Sequence, residues 1–518
     1  MDKLKEILRE EIEDFRLVGE KFINKEMSVA DFKKASGGMG VYAERGGQKF
    51  MVRLKMPSGV TTKAQLNKIY ELADRYNLKG VHLTTRQAIQ LHTLDIDDVC
   101  DIMKEVLDYD IFTRGGGGNY PRNVAISPLA GVDREEAFDT TEISLAVSNY
   151  FLERILTYKL PRKLKVSFSS TEKDEAHVTV QDLGFMPVKK DGKNTFTVYA
   201  GGGLGMKPRK GILIEEGVDP SDVLCYVEGM VKFFMAEGDY NNKARARVRY
   251  ILERMGEEEF RNEYKKYVEK EKSNSELKLD IKEKTINKEG IKTDVKHKRL
   301  YSQKQEGLYS VYVHPLIGQL KLESLKAICD FINDKEDIEI RLAMVEGMYI
   351  RNLNGKEAEE FLKITEEFSE DLEIMQSISC VGLPICQMGR CDSESVVENV
   401  TAFLKEKGYN KDILPKMCVS GCPNSCGVHE LGGIGFMGMK VRDDGQIKDA
   451  FRLFIGGKTS AKDTTLGEEK SDFLPERIPE FIYELSCKID ESGMKFEDYI
   501  IENKNELNNL INKYAIEK

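Results

Sequence analysis

The spacing of hydrophobic residues changes from a helical period to a strand period near the start of the chain. Residues 1–36 place Leu, Ile and Phe at helical intervals among Glu and Lys, and the glycines within 37–40 end that pattern. Residues 50–59 then predict a strand, followed by a helical segment (62–77), a second strand (80–94) and a second helical segment (95–107). This order predicts a small α+β layer covered by N-terminal helices.

The same order of elements recurs about 258 residues further along the chain. Residues 307–318, 322–333 and 339–353 repeat the first strand, the helix and the second strand. Further matches keep a common order and a nearly constant offset: Leu160-Pro161 with Leu414-Pro415, Val166-Ser167 with Val419-Ser420, and Leu183 to Met186 with Ile434 to Met437. These matches predict an internal duplication.

The duplication divides the chain into six predicted segments. Residues 257–305 are dominated by Lys and Glu, which predicts an exposed, partly helical linker between the copies. We therefore expect an internally duplicated α+β fold with an N-terminal helical segment (1–46), a first small unit (47–110), a first large unit (111–256), the charged linker (257–305), a second small unit (306–370) and a second large unit (371–518).

The composition is typical of a soluble globular protein. Of the 518 residues, 41% are hydrophobic and 32% are charged, and the net charge is −10. No run approaches the roughly 18 apolar residues of a membrane helix, and the N-terminus lacks the apolar core of a signal peptide, so we predict a cytoplasmic protein without a membrane partner. The negative charge also argues against a nucleic-acid partner, and any anion site requires a local concentration of Lys and Arg.

Six of the ten cysteines lie between residues 380 and 426. Cys380 and Cys386 have a C-x5-C spacing, and Cys422 and Cys426 have a C-x3-C spacing. Zinc knuckles usually have C-x2-4-C in both pairs, whereas an apolar loop such as residues 381–385 suits an iron–sulfur cluster shielded from solvent. Structural zinc and disulfide or free thiols remain alternatives, and Cys418 forms its own C-x3-C with Cys422.

The cysteine pattern, continued by Gly421-Cys422-Pro-Asn424-Ser-Cys426-Gly427 and by the glycines of 433–438, resembles the sirohaem-dependent sulfite and nitrite reductases. The resemblance implies that Cys380, Cys386, Cys422 and Cys426 hold a [4Fe–4S] cluster, that Cys426 also ligates the sirohaem iron, and that Asn424 contacts the cofactors. It also implies two ferredoxin-like half-domains and two larger α+β domains that bind sirohaem and cluster, related by a pseudo-two-fold axis. Cys391 and Cys418 fall outside the family pattern.

Several cations occupy strand-like segments of the first copy. Alternation places Arg86 and His92 on one face of their predicted strand, and it places Lys163 and Lys165 opposite Leu164. A solvated strand face is the ordinary interpretation of such a pattern. The same segments resemble the family, however, and the resemblance implies that Arg86, Arg122, Lys163 and Lys165 surround the open face of the haem and bind the anionic substrate. Arg114 opens a glycine run that is expected near the haem carboxylates.

The resemblance implies a six-electron reduction at the sirohaem iron, with electrons from a separate carrier such as ferredoxin because no flavin or nicotinamide domain is visible. Lys165 and His92 resemble the sulfite branch, so sulfite is the predicted substrate and sulfide the product. The alternative is reduction of nitrite to ammonia on the same cofactors. A third hypothesis, a non-catalytic iron–sulfur electron carrier, leaves the four cations without a purpose.

Overall fold

Two amphipathic helices precede the first sheet of the computed structural model, which describes residues 1–282, 284–443 and 445–517. Helix α1 (Asp2–Ile23) buries Leu8, Ile12 and Phe15 at helical spacing, and helix α2 (Val29–Met39) begins at Ser28, which accepts a hydrogen bond from the Asp31 N–H. Gly40 ends the second helix with φ of 81°, as expected, whereas Gly37 and Gly38 lie inside it. A Cβ on Gly38 would lie 2.8 Å from Arg114 Nη1, so glycine allows the close approach of a neighbouring loop there.

The first small unit is a sheet with two helices on one face. Its elements are β1 (Val41–Ala43), β2 (Phe50–Lys55), β3 (Val60–Thr61), α3 (Lys63–Arg75), β4 (Gly80–Leu83), β5 (Ala88–Leu94) and α4 (Ile96–Val106). Helix α3 begins with a capping box between Thr62 and Gln65. The apolar faces of α3 and α4 pack against the sheet because both helices carry hydrophobic residues at helical spacing.

The first large unit is a mixed sheet of five strands with helices around it. Its elements are β6 (Ala125–Ile126), α5 (Thr141–Glu153), β7 (Val166–Phe168), β8 (Leu183–Lys190), β9 (Lys193–Ala200), β10 (Ile212–Val218), α6 (Val223–Glu237) and α7 (Val248–Met255). Strands β6, β7 and β8 run parallel, and β9 and β10 follow as antiparallel hairpins. The sheet thus opens with short buried parallel strands, and these carry the lysine segment.

The predicted linker is partly core, and this part of the prediction is wrong. Residues Glu257–Lys272 form helix α8, which buries Phe260, Tyr264 and Val268 against α6. The Tyr264 hydroxyl donates to the Tyr226 carbonyl at 2.8 Å. The Lys and Glu residues that suggested a linker occupy the outer face of this helix, so a charged composition concealed three apolar positions at helical spacing.

The second small unit repeats the first. It contains β11 (Leu300–Ser302), β12 (Leu308–Val313), β13 (Gln319–Lys321), α9 (Leu322–Asn333), β14 (Glu339–Leu342), β15 (Met348–Asn354) and α10 (Gly355–Ile364). The second large unit follows with β16 (Ile378–Ser379), α11 (Glu394–Glu406), β17 (Met417–Ser420), β18 (Ile434–Asp443), β19 (Gln446–Ile455), β20 (Glu468–Phe473), α12 (Ile478–Ser492), α13 (Phe496–Glu502) and α14 (Lys504–Tyr514). Strands β16, β17 and β18 are parallel, as are β6, β7 and β8.

The two small units exchange strands and share one hydrophobic core. Strand β13 pairs with β4 in the sheet of the first copy, with Leu320 opposite Val81, and β3 pairs with β14 in the sheet of the second, with Thr61 opposite Ile340. Residues from both units line the same core. The exchange explains why the small units form one layer: each copy completes the sheet of the other.

The duplication extends to unusual backbone conformations. Three residue pairs separated by a constant offset have positive φ in both copies: Ser58 and Ile317 (both 52°), Gln87 and Glu346 (53° and 59°), and Thr93 and Asn352 (66° and 62°). Positive φ is costly for residues other than glycine, above all for the β-branched Ile317. Such turns are retained in both copies only if the surrounding structure is shared. Within the described residues, the helices are all too short or too polar to span a bilayer.

We expect Gly80→Ala to destabilise the protein through the strand exchange. A Cβ at this position would overlap the Leu320 carbonyl oxygen and would lie 2.8 Å from Lys321 Cα in the exchanged strand. The expected loss is about 1–3 kcal/mol of the free energy of unfolding, measured by denaturant titration. The exposed neighbour Lys79→Ala is the control and should change stability by no more than about 0.5 kcal/mol. Equal stability of the two variants would show that the β4–β13 pairing does not contribute.

Candidate functional site

The four predicted cluster ligands come from two loops of the second large unit. Cys380 and Cys386 lie after β16, and Cys422 and Cys426 lie after β17. Burial raises the pKa of Cys380, Cys386 and Cys422, and the neighbouring Cys426 raises all three further. The Gly421 N–H donates to Cys380 Sγ at 3.1 Å. The structure therefore brings the four thiols near one another, and all ten cysteines are free.

The arrangement of the thiols suits a cluster better than a single ion. In the part of the chain that the structure describes, no group of three or more His, Cys, Asp or Glu side chains is arranged to hold one metal ion. Tetrahedral zinc would need four ligands at about 2.0–2.3 Å from one centre. Thiols that raise one another's pKa without converging on one point leave room for a four-iron cluster, which Cys thiolates hold from its corners.

The other two cysteines of this stretch lie elsewhere. Cys391 Sγ donates to the Met439 carbonyl at 3.1 Å. Cys418 lies in β17 among apolar side chains that include Ile378 and Leu431, and burial raises its pKa to about 12. Spacing alone left Cys418 as a possible ligand. Its side chain packs in an apolar cluster with Val428 and Leu431, which follow the loop that holds Cys422 and Cys426.

The loop that holds Cys422 and Cys426 contacts the first copy directly. Thr85 Oγ1 donates to the Cys426 carbonyl at 2.8 Å, and the Gly205 N–H donates to Glu430 Oε1 at 2.8 Å. The Ser425 hydroxyl, between the two cysteines, donates to the other oxygen of Glu430. The buried carboxylate of Glu430 thus connects the loop that holds Cys422 and Cys426 to the loop that contains Gly205 in the first copy.

Lys163 and Lys165 face the same space as Cys426. Burial lowers the pKa of Lys163 well below its ordinary value, and Lys165 lowers it further. Burial, then Arg86, lowers the pKa of Lys165 to about 7, and the Cys426 sulfur is close enough to oppose both shifts. Among the described residues, neither ammonium group has a hydrogen-bond or ion-pair partner. Alternation predicted that both ammonium groups lie on one side of the segment, and both lysines, which directly precede β7, do face the same space.

Arg86 and Arg122 are held by backbone carbonyls. Arg86 donates to the carbonyls of Asn123 at 3.0 Å and Val166 at 2.7 Å, and burial lowers its pKa to about 9. Arg122 donates to the carbonyls of Gly116 at 3.0 Å and Gly118 at 2.8 Å, and burial lowers its pKa to about 10. Its Nε is buried and has no partner in the described chain. The guanidinium groups therefore lie at fixed positions.

The prediction that Arg86 and His92 share one face of a strand is wrong. Gln87 has φ of 53°, so Arg86 lies in a turn before β5 and not on the strand. A turn breaks the alternation on which the prediction depended. His92 Nδ1 instead lies 3.0 Å from Glu44 Oε1, on the strand itself.

Arg114 and Asn424 have different surroundings. Arg114 donates to Glu11 Oε2 at 2.9 Å and to the Gly38 carbonyl at 3.1 Å, and it stacks over Tyr120. Its guanidinium therefore contacts the N-terminal helices. Asn424 is exposed beside Cys422, and its amide lowers the pKa of that thiol.

Sequence reasoning missed several charged residues of the site. Arg247 binds both oxygens of the fully buried Asp182, at 2.8 and 2.9 Å, and Asp182 also accepts from the Lys165 N–H at 2.8 Å. Arg53 donates to the Gly116 carbonyl at 2.7 Å, and burial, then Arg122, lowers the pKa of Lys55 to about 8. Alternation along β2 could have found Arg53 and Lys55. Arg247 carries no comparable signal.

The site as a whole can hold an anion beside a thiol. The cations of the first copy have depressed pKa values because burial removes their hydration, and this cost is reduced when an anion binds. A lysine with a pKa near 7 can also give up a proton at neutral pH. These residues fit a macrocycle with many carboxylates, such as sirohaem, and a small anionic substrate.

Comparison with known proteins identifies two matching domain families and several relatives. Residues 117–272 and 373–486 match the domain family described as the nitrite and sulphite reductase 4Fe-4S domain, and residues 42–109 match the nitrite/sulfite reductase ferredoxin-like half domain. The chain is 28% identical over 476 residues to the chloroplastic ferredoxin–nitrite reductase of Arabidopsis thaliana, covering 87% of this chain and 79% of that protein. It is 27% identical over 467 residues to the ferredoxin–nitrite reductase of Leptolyngbya laminosa, covering 87% and 88%.

A solved structure, that of the Mycobacterium tuberculosis NirA protein, superposes with a TM-score of 0.80 at 20% identity, covering 96% of this chain and 95% of that one. This likeness and the two domain matches confirm the predicted duplicated α+β fold with ferredoxin-like half-domains. The 4Fe-4S domain family alone matches more than half of the residues. The chain therefore belongs to the nitrite and sulphite reductase family of oxidoreductases, which carry sirohaem and a [4Fe–4S] cluster.

Proposed function

We propose that this protein reduces nitrite to ammonium, with ferredoxin as the electron donor. The observation that carries an anionic substrate is the pair of unpartnered ammonium groups, Lys163 and Lys165, beside the Cys426 sulfur, and the names of the relatives carry the choice of nitrite. The relatives from Arabidopsis thaliana and Leptolyngbya laminosa are named ferredoxin–nitrite reductases, and a relative from Haloferax mediterranei, 26% identical over 474 residues, is named an assimilatory ferredoxin-dependent nitrite reductase. These names support nitrite and ferredoxin.

Cys380, Cys386, Cys422 and Cys426 are the residues proposed to hold the cluster, and Cys426 would also help to hold the sirohaem. The proximity of Cys426 to the other three thiols, whose pKa values it raises in addition to burial, and the Gly421 N–H bond to Cys380 Sγ support this set. When bound, the two cofactors supply an iron site for the substrate and a route for single electrons. The protein supplies the contacts that hold and orient them.

Four cations of the first copy are proposed to bind and protonate the substrate. Reduction of one nitrite consumes six electrons and eight protons and yields one ammonium and two waters. Protons must therefore be delivered repeatedly, and positive charge must stabilise the oxygen atoms as they leave. Arg86 and Arg122 are held by backbone carbonyls and can orient the anion without moving. Lys163 and Lys165 have free N–H groups and depressed pKa values, which suits them to deliver protons near neutral pH.

Sulfite is a second candidate substrate because of Lys165. A second ammonium beside Lys163 suits a dianion with three oxygens better than a monoanion with two. Its reduction also takes six electrons and eight protons, and it yields hydrogen sulfide and three waters. The sulfite prediction made from Lys165 and His92 is not confirmed, and the names of the relatives favour nitrite.

The steady-state comparison of the two substrates tests the proposed function. With one reductant, such as reduced methyl viologen, we expect kcat/KM for nitrite to exceed that for sulfite at pH 7. A higher kcat/KM for sulfite would reverse the assignment in favour of the second candidate. An enzyme that reduces neither anion would support the electron-carrier hypothesis instead.

Replacement of Lys165 by Asn tests its role in substrate choice. We expect the ratio of kcat/KM for sulfite to that for nitrite to fall about tenfold, because the lost ammonium group interacts more strongly with a dianion. The matched control is Lys189→Asn on the exposed β8–β9 hairpin, which should leave both values unchanged. If the ratio stays constant, Lys165 does not select between the two anions.

Replacement of single cysteines tests the ligand set. Protein purified without oxygen should contain about five iron atoms per chain, with acid-labile sulfide and sirohaem absorption bands. We expect Cys422→Ser to lose most of this iron and Cys418→Ser to retain it, because the Cys418 side chain packs among Ile378, Val428 and Leu431. Loss of iron only in Cys418→Ser, or zinc in the unmodified protein, would contradict the assignment.

A further inference from the structure

The hydroxyl of Tyr42 lies against a glycine turn in the anion site formed by the cations of the first copy. Tyr42 is the central residue of β1, and its hydroxyl oxygen accepts from the Gly118 N–H at 3.2 Å. A Cβ on Gly117 would lie only 2.3 Å from this oxygen, so the turn can close around the phenol only with glycine at that position. The phenol therefore contacts two successive residues of the turn.

The same turn holds two arginines of the site. The Gly116 carbonyl accepts from Arg53 Nη1 at 2.7 Å and from Arg122 Nη1 at 3.0 Å. The Gly118 carbonyl accepts from Arg122 Nη2 at 2.8 Å. One turn thus fixes both guanidinium groups, and the bond from the Gly118 N–H to the Tyr42 hydroxyl ties that turn to strand β1.

The phenol is close enough to these guanidinium groups to feel their charge. Burial raises the pKa of Tyr42, but Arg122 and then Arg53 lower it, and the net shift is downward. The guanidinium carbon of Arg53 lies 5.9 Å from the centre of the Tyr42 ring. Arg162 is a third nearby cation, since burial and Arg247 lower its pKa and Tyr42 opposes that shift. The hydroxyl is therefore coupled to positive charge that a bound anion would offset.

The second copy provides an internal comparison. Tyr301 of β11 occupies the position of Tyr42, because the β11–β12 pairing repeats the β1–β2 pairing at the same offset. In the second copy Tyr312 stands in place of Arg53. The ring of Tyr301 lies 5.5 Å from that of Tyr349, and burial raises the pKa of Tyr301 above its ordinary value. The two tyrosines thus share a backbone position but differ in the charge around the hydroxyl.

We propose that Tyr42 is a positioning residue of the anion site, whose hydroxyl fixes the glycine turn that holds Arg53 and Arg122. The proposal rests on the proposed function and adds a residue that acts on the anion through these two arginines. Without the hydroxyl the Gly118 N–H loses its acceptor, so the turn can shift and both guanidinium groups move with it. Anion binding should suffer more than proton delivery, because the lysines of the site lie on another segment.

Replacement of Tyr42 by Phe in the holoenzyme tests this role. The ring is kept, so the sirohaem and iron contents should match those of the unmodified protein. With reduced methyl viologen at pH 7, we expect the KM for nitrite to rise about fivefold and kcat to stay within about twofold, because the lost hydrogen bond supports binding. Tyr301→Phe is the matched control and should leave both values unchanged. An unchanged KM in Tyr42→Phe, or an equal rise in both variants, would overturn the proposal.

Ionisation of the phenol gives a second measurement that needs no turnover. The ultraviolet absorbance of tyrosinate is followed in pH titrations of the oxidised holoenzyme, and the difference from each Phe variant isolates the missing tyrosine. We expect Tyr42 to ionise below the ordinary tyrosine pKa of about 10 and Tyr301 above it. Saturating nitrite should raise the pH at which Tyr42 ionises, because the anion offsets the charge of Arg53 and Arg122. A Tyr42 titration that nitrite does not shift contradicts the proposal.

Failure of the proposed function looks different, because the unmodified enzyme would then reduce neither nitrite nor sulfite with methyl viologen. In that case, the binding of nitrite to the oxidised holoenzyme, followed through the absorbance of its sirohaem, decides the role of Tyr42. Weaker binding by Tyr42→Phe alone supports the positioning role. Equal binding by the unmodified protein and both variants, or binding by none of them, rejects it.

Discussion

Two hydrogen bonds join the cysteine loop of the second copy to the first copy, and the candidate centre depends on this contact. Thr85 bonds to the Cys426 carbonyl in the turn that also holds Arg86, and Gly205 bonds to Glu430. Each bond contributes only about 1 kcal/mol net, but Glu430 is 2% exposed, and a buried carboxylate without donors would be far more costly. The thiols and the cations therefore meet only when both copies are folded and packed together.

The first copy contains the same loop without the cysteines. Asp174 and His177 have φ of 54° and 56°, as Ser425 and Val428 have 53° and 48° in the second copy. The supporting hydrogen bond is retained with its partners exchanged. In the first copy the carboxylate of Asp174 accepts from the Thr179 hydroxyl at 2.7 Å, whereas in the second the hydroxyl of Ser425 donates to the carboxylate of Glu430.

The two loops have the same backbone conformation but carry different functional side chains. At the same offset, Glu175 stands in place of Cys426, and burial raises its pKa to about 7. Counted from the paired Val166 and Val419, Cys418 stands in place of Lys165. The duplication creates two similar places where a loop of one copy meets a strand segment of the other. Among the described residues, only one of these places combines a loop of thiols with a facing set of cations. This accounts for one candidate centre in a duplicated fold.

Periodicity and repeats were sufficient to predict the fold class because both copies keep their hydrophobic spacing and their order. The errors arose where tertiary contacts decide local structure. Helix α8 buries three apolar residues within a charged segment, the β3 and β13 exchange joins strands from different copies, and Gln87 removes Arg86 from its strand. Cysteine spacing could not separate Cys418 from the other thiols, because the distinction depends on tertiary packing: Cys418 lies within β17 in an apolar cluster, whereas Cys422 and Cys426 lie in the loop after it.

The net charge of the site, after its own carboxylates are counted, limits what can be inferred about the substrate from the sequence. Burial lowers the pKa of Arg86 and Lys165, Asp182 is the carboxylate that partly opposes this shift, and Arg247 already binds both of its oxygens. The remaining positive charge therefore has to be offset by bound anions, first by the carboxylates of the macrocycle and then by the substrate. Choice between a monoanion and a dianion depends on the charge that is left after the macrocycle binds. A count of lysines, including Lys165, gives the positive charge of the site before the macrocycle binds. The sequence could therefore identify an anion site, but it could not show which anion the site prefers.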